Sequence, residues 1–223
     1  MTRVLFIAGL FLSAVVMAGC SDDPPAGPEQ PIAFFHSVHA GDNQIPCMYC
    51  HTTADRSQTA SIPSVQLCVG CHVPGSAIIP PGQAQLAFPG PERDSLWNAE
   101  AEKLVGFWQR QEAIPWVKVH DLPEHVQFPH FMHVEAGLEC STCHGPVEEM
   151  DVMYQFASLQ MGWCVDCHRG TLPLSEEEEA RVQSRSSYVR EIAALAAAGS
   201  DTRDLQDRFP NQRAATDCTV CHY

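Results

Sequence analysis

Five segments of the chain place two cysteines and a histidine at one fixed spacing: Cys47-Met48-Tyr49-Cys50-His51, Cys68-Val69-Gly70-Cys71-His72, Cys140-Ser141-Thr142-Cys143-His144, Cys164-Val165-Asp166-Cys167-His168 and Cys218-Thr219-Val220-Cys221-His222. Cysteine and histidine each number 11 in 223 residues. Chance would then give about 0.03 C-x-x-C-H runs, so five are decisive. On one helical turn, positions i and i+3 project to the same side. Two thiols so placed can add to the two vinyl groups along one porphyrin edge, while the adjacent histidine turns under the ring to ligate iron. The pattern specifies covalent haem c, with five haems expected on ten cysteines and five proximal histidines. Structural zinc also uses paired C-x-x-C units, but it needs no histidine directly after each second cysteine. A thioredoxin-like pair expects a βαβ context and occurs once.

The sixth ligand of each iron decides between a carrier and a catalyst. A haem with two strong protein ligands shuttles electrons, whereas one with an open position can bind and transform a small molecule. Six histidines lie outside the motifs: His36, His39, His120, His125, His130 and His133. Five irons need five of them, so the count favours electron transfer. His36 and His39 precede Cys47 as an H-x-x-H pair, and His130 and His133 precede Cys140 in the same way. Each pair is followed by two haem motifs, which reads as an internal duplication. At i and i+3 the two imidazoles share a helical face yet can lean toward different neighbours, so one turn can serve two haems. His36, His39, His130 and His133 are therefore read as distal ligands and His120 as the fifth, with His125 left over. Spacing does not say which histidine serves which iron. Met150, Met153 and Met161 are competing sixth ligands, and for each taken singly core packing is the expected role.

The eleventh cysteine, Cys20, needs another purpose. Arg3, an apolar run from Val4 to Ala18 and then Met17-Ala18-Gly19-Cys20 read as a lipoprotein-type secretory signal over residues 1–19, with Cys20 lipidated. An uncleaved anchor is the alternative, although the run is slightly shorter than the roughly 20 residues a span needs. Either way the folded part is expected on the periplasmic side of a bacterial cell membrane. Residues 20–30 are polar and Pro-rich and read as a tether. The body then divides into a dihaem unit at 31–72, a connecting segment at 73–119, a second dihaem unit at 120–168 and a helical segment ending in the fifth motif at 169–223. The formal charge of −14 with only two lysines excludes nucleic acid as a partner.

Strand signals are few, so the fold class expected is a multihaem cytochrome c, mainly short helices and irregular loops wrapped around five haems. Ser95 to Glu112 has helix-forming composition, with Leu96, Trp97, Leu104, Val105 and Trp108 for a buried side and Pro115 stopping it. Ser175 and Glu178 form a capping box that opens a second helix, carried by Val182, Val189, Ile192 and Leu195 to Gly199. The Glu176 to Glu179 run is read mainly as a solvated helix start that suits the macrodipole.

The H-x-x-H plus C-x-x-C-H units resemble those of class III and c7-type multihaem cytochromes. A closer similarity is to the pentahaem cytochrome subunit of alternative complex III, the bacterial quinol-oxidising respiratory complex. It is carried by Phe35-His36-Ser37-Val38-His39-Ala40-Gly41 leading to the first motif, and by Val119-His120-Asp121-Leu122-Pro123 leading to Phe128-Pro129-His130. Cys143-His144-Gly145-Pro146-Val147-Glu148-Glu149-Met150 and Met161-Gly162-Trp163-Cys164-Val165-Asp166-Cys167-His168-Arg169 extend it. The resemblance favours His120 over His125, since His120 sits in a shared segment. It implies electron flow from an iron–sulfur, molybdopterin-oxidoreductase-like subunit, fed by quinol at integral membrane subunits, toward a monohaem cytochrome c or a terminal oxidase. A lipid anchor at Cys20 departs from that family's N-terminal transmembrane helix. A stand-alone lipoprotein shuttle, or a haem enzyme reducing a small oxyanion, are the alternatives.

Overall fold

The computed structural model describes residues 27–72, 91–202 and 211–223, without the side chains of 91–98. The signal segment, Cys20, most of the tether, the Pro/Gly-rich stretch after His72 and the side chains of Leu96 and Trp97 lie outside the described residues. Among the described residues the helical elements are α1 (Ser37–Asp42, a π-type turn), α2 (Cys47–Cys50), α3 (Val65–His72), α4 (Pro91–Arg110), α5 (His130–Glu135), α6 (Cys140–His144), α7 (Met161–Arg169), α8 (Glu176–Arg185), α9 (Ser187–Ala197) and α10 (Cys218–Cys221), with a 3-10 turn at Val147–Glu149 between α6 and α7. Among the described residues there is no strand, only an isolated antiparallel bridge between Val126 and His222. No described helix is long and apolar enough to cross a membrane. Short helices and loops with little strand are the architecture the sequence leads one to expect.

Among the described residues the apolar interior is thin. Ile32, Val69, Leu104 and Ile114 form one buried cluster, with Val65, Cys68, Phe107 and Trp116 packed against it. This cluster joins α3 to α4 and to the strap just before α1. Gln30 clamps that strap by two side-chain hydrogen bonds to the backbone of Val117, and the Ala33 amide donates to Glu100. A self-contained domain of this length would bury far more of its own apolar surface.

Three local expectations change. On α4 the buried side is Leu104 with Phe107, while Trp108 is 41% exposed. The expected helix from Ser175 to Gly199 is two helices, because Ser186 leaves helical geometry at ψ 124° and its hydroxyl then caps α9 at the Val189 amide. That hydroxyl also donates to the Arg213 carbonyl, so a tertiary contact fixes the break. The acidic run is only partly solvated. Glu178 is buried and accepts from the Glu139 amide and the Thr142 hydroxyl, at the N-terminus of α6. Only half of the capping box forms in consequence: Ser175 Oγ accepts from the Glu178 amide at 3.2 Å, and the Glu178 carboxylate serves α6 instead. Ser175→Ala should cost about 1 kcal/mol, read as a lowered denaturation midpoint of the cofactor-loaded protein.

Candidate functional site

Each C-x-x-C-H run forms a short helix or lies at the end of one, with its cysteines on a single turn. Thiols of neighbouring motifs interact electrostatically. Burial pushes the Cys143 thiol up to about 12, helped by Cys167 and Cys164. Burial also raises Cys50, followed by the adjoining Cys71. No disulfide links the ten described cysteines.

The H-x-x-H pairs are built on a common plan. Phe34 meets His36 edge-on at 4.9 Å and 83°, and stacks on His39 at 4.2 Å. Phe128 meets His130 at 4.9 Å and 83°, and lies against His133 at 4.3 Å. The duplication therefore extends to a phenylalanine two residues ahead of each pair, a repeated F-x-H-x-x-H that spacing of the histidines alone overlooks.

Two imidazoles on opposite sides of one metal, each nitrogen about 2 Å from it, put their ring centres about 6 Å apart. His39 and His72 are 5.8 Å apart, His133 and His168 6.1 Å, and His130 and His144 6.4 Å. His125 and His222 are 5.4 Å apart and within 25° of parallel. That last placement is set by the backbone: Val126 bridges His222, the Gln127 amide donates to the Cys221 carbonyl, and the Tyr223 amide donates to the His125 carbonyl. His125, the histidine left over by sequence, is thus fixed opposite a motif histidine. His120 lies 4.4 Å from His144, too close for the two rings to share one metal between them. Its Nε2 is buried without a hydrogen-bond partner, as is Nδ1 of His36.

The surrounding backbone orients the rings. Nδ1 of His39, His51, His133 and His168 lies 2.7 to 3.0 Å from the carbonyls of Phe35, Ser61, Pro129 and Ala215. Such bonds leave Nε2 as the ligating nitrogen and fix its direction. Ligation also requires the neutral ring. Burial first, then neighbouring imidazoles, lowers His36, His72 and His144 to about 4. Among the described residues no group of three or more His, Cys, Asp or Glu converges as a structural zinc site would. The residues fit a planar group attached by paired thiols and ligated from both faces. Of the methionines, Met150 is buried at 4% exposure, whereas Met161 is 70% exposed.

One relative shares this chemistry. Over 160 residues, 63% of this chain and 68% of the relative, the chain is 24% identical to the protein described as menaquinone reductase, multihaem cytochrome c subunit, of Nitratidesulfovibrio vulgaris. The similarity supports a multihaem cytochrome c. No family model matches the chain. For a multihaem cytochrome c the facing imidazoles and paired thiols have a single explanation, covalent haem c, and the work supported is electron transfer.

Below the fourth motif lies a support that sequence alone does not reveal. Arg213 is 6% exposed, and its guanidinium reaches the Glu179 carboxylate and the carbonyls of Cys167 and Leu172. Its own amide, with that of Ala214, donates to the His168 carbonyl. Gly170 ends α7 at φ 77°, and a Cβ there would collide with the Asn211 carbonyl, so the turn back toward Arg213 needs glycine.

Proposed function

We propose that this chain is a membrane-anchored, periplasmic electron-transfer subunit of a quinone-linked respiratory complex, carrying five haems c. The observation that carries the reading is the set of imidazole pairs near 6 Å, one partner of each belonging to a C-x-x-C-H run. Haem iron ligated by imidazole on both faces exchanges single electrons without offering a position to substrate. Cys47 and Cys50, Cys68 and Cys71, Cys140 and Cys143, Cys164 and Cys167, and Cys218 and Cys221 hold the groups by thioethers. His51, His72, His144, His168 and His222 supply the proximal nitrogens. His39 serves opposite His72, His130 opposite His144, His133 opposite His168 and His125 opposite His222. His36 and His120 are the imidazoles remaining for His51, and the count of six again leaves one surplus.

The resemblance to the alternative complex III subunit supports quinol as the source of electrons, with iron–sulfur and integral membrane subunits as partners. The name of the relative favours a second reading, in which electrons pass toward menaquinone. Gentle detergent extraction with this chain as bait tests both. Co-purification of iron–sulfur and integral membrane subunits with five haems per chain supports the complex. Haem reduction by added quinol then favours the first direction, and quinone reduction by the prereduced complex the second. Recovery as a lone cytochrome supports a shuttle instead. Cys20→Ala, if Cys20 carries the lipid, should release the chain from washed membranes.

A further inference from the structure

The two H-x-x-H units do not meet in the order in which the chain visits them. The Ser37 amide, at the start of the first pair's helix, donates to the Met150 carbonyl at 3.1 Å, and the Phe131 amide, at the same place in the second, donates to the Ser57 carbonyl at 3.1 Å. Met150 lies six residues beyond His144, and Ser57 lies six residues beyond His51. Each unit thus docks its distal-ligand turn onto the loop that follows the other unit's first motif. The joint is reciprocal, as in an isologous contact between two copies of one fold. The His130 amide adds a bond to the Gln58 carbonyl at 3.0 Å, and a Cβ at Gly41 would collide with the Glu148 carbonyl, so the approach is close on both sides.

Within each unit the H-x-x-H turn joins the first motif to the second. His39 faces His72, and His36 stands three residues earlier on the same turn, both rings lying against Phe34. His130 faces His144 while His133 faces His168. The fifth motif hangs from the fourth, through His168 Nδ1 on the Ala215 carbonyl and the amides of Arg213 and Ala214 on the His168 carbonyl.

From this docking we infer that the attachment sites are ordered second, first, third, fourth, fifth along the electron path, with the sites of His72 and His222 at its two ends. The crossing between units runs from the site of His51 to that of His144. The second and third motifs, consecutive in sequence, are not consecutive in the path. An electron from an external one-electron donor enters at one end and leaves to an external acceptor at the other, so the donor is oxidised and the acceptor reduced by one.

The inference rests on the haem reading proposed above but needs neither quinol nor a partner for its test. Methionine in place of a distal histidine raises the potential of that site, so the altered site is reduced first and falls silent in the EPR spectrum. Only adjacent ferric sites then lose their spin–spin broadening. In holoprotein poised at one electron per chain, His39→Met should sharpen one other signal, as His125→Met does at the opposite end, and His133→Met should sharpen two. Two sharpened signals in His39→Met would overturn the order, because a site following the first motif and preceding the third has two neighbours. Should His39→Met not retain its cofactor, an experimental structure of the wild-type holoprotein decides the same point. First and third sites as nearest neighbours uphold the order, and second and third sites as nearest neighbours overturn it. A failed order leaves the electron-transfer reading standing, and absent quinol reactivity leaves the order standing.

Discussion

His125→Ala should convert one of the five low-spin ferric sites to high spin, roughly a fifth of the total EPR intensity, and create a site that binds cyanide. The physical reason is geometric. His125 faces His222 at 5.4 Å and nearly parallel, and the bridge between Val126 and His222 holds both rings in place. Removing the imidazole would take away the proposed ligand and leave Cys218 and Cys221, the proposed attachment residues, in place. The companion comparison is His36→Ala with His120→Ala. Six histidines lie outside the motifs and five irons are proposed, so one of these two variants should convert a site and the other should leave all five low-spin. An unchanged spectrum in His125→Ala would return His125 to the surplus and require His120 or a methionine at the fifth site. The readout is a full-spectrum spin count on purified protein, with pyridine haemochrome fixing the number of haems.

Arg213→Gln should destabilise the C-terminal third by about 2 kcal/mol, because it breaks a partly buried ion pair and leaves two carbonyls without the buried guanidinium that bound them. The loss concerns two motifs at once. Arg213 joins the carbonyls of Cys167 and Leu172 to Glu179, and its backbone amide holds the His168 carbonyl. A lowered unfolding midpoint, with the fourth and fifth sites losing their low-spin signature first, is the expected result. The same pair gives a pH dependence. Burial tends to raise Glu179, but hydrogen bonds from Arg213 and Gln183 prevail and hold it below its ordinary 4.5. A carboxylate depressed in the folded state contributes stability that is complete above its unfolded value and lost as pH falls through the folded value. Wild type should therefore lose stability on acidification below about 4.5, and Arg213→Gln should lose less over that window. Equal acid sensitivity in the two proteins would remove Glu179 from the account.

What the sequence discloses here is local. The attachment turns and the H-x-x-H pairs depend on spacings of three residues, which one helical turn converts directly into geometry. That His125 lies opposite His222 depends on a backbone bridge between Val126 and His222, and no periodicity records that pairing. The same holds for Glu178. Its place in an acidic run suggests solvent, yet its carboxylate closes the α6 N-terminus from 39 residues away. The break at Ser186 is equally invisible, because serine is an ordinary helix residue until Arg213 supplies the carbonyl that holds its hydroxyl. On α4 the residue that packs is Phe107 and the neighbouring Trp108 stays exposed, a rotation set by Ile32 and Ile114 arriving from outside the helix.

The bonds Ser37 to Met150 and Phe131 to Ser57 are equivalent from either side, so nothing in that joint requires its two halves to belong to one polypeptide. The peptide between them supplies effective concentration, not shape. Two chains of one unit each could close the same contact by a twofold axis, and fusing them end to end would keep the four-site path without creating a single new bond across the joint.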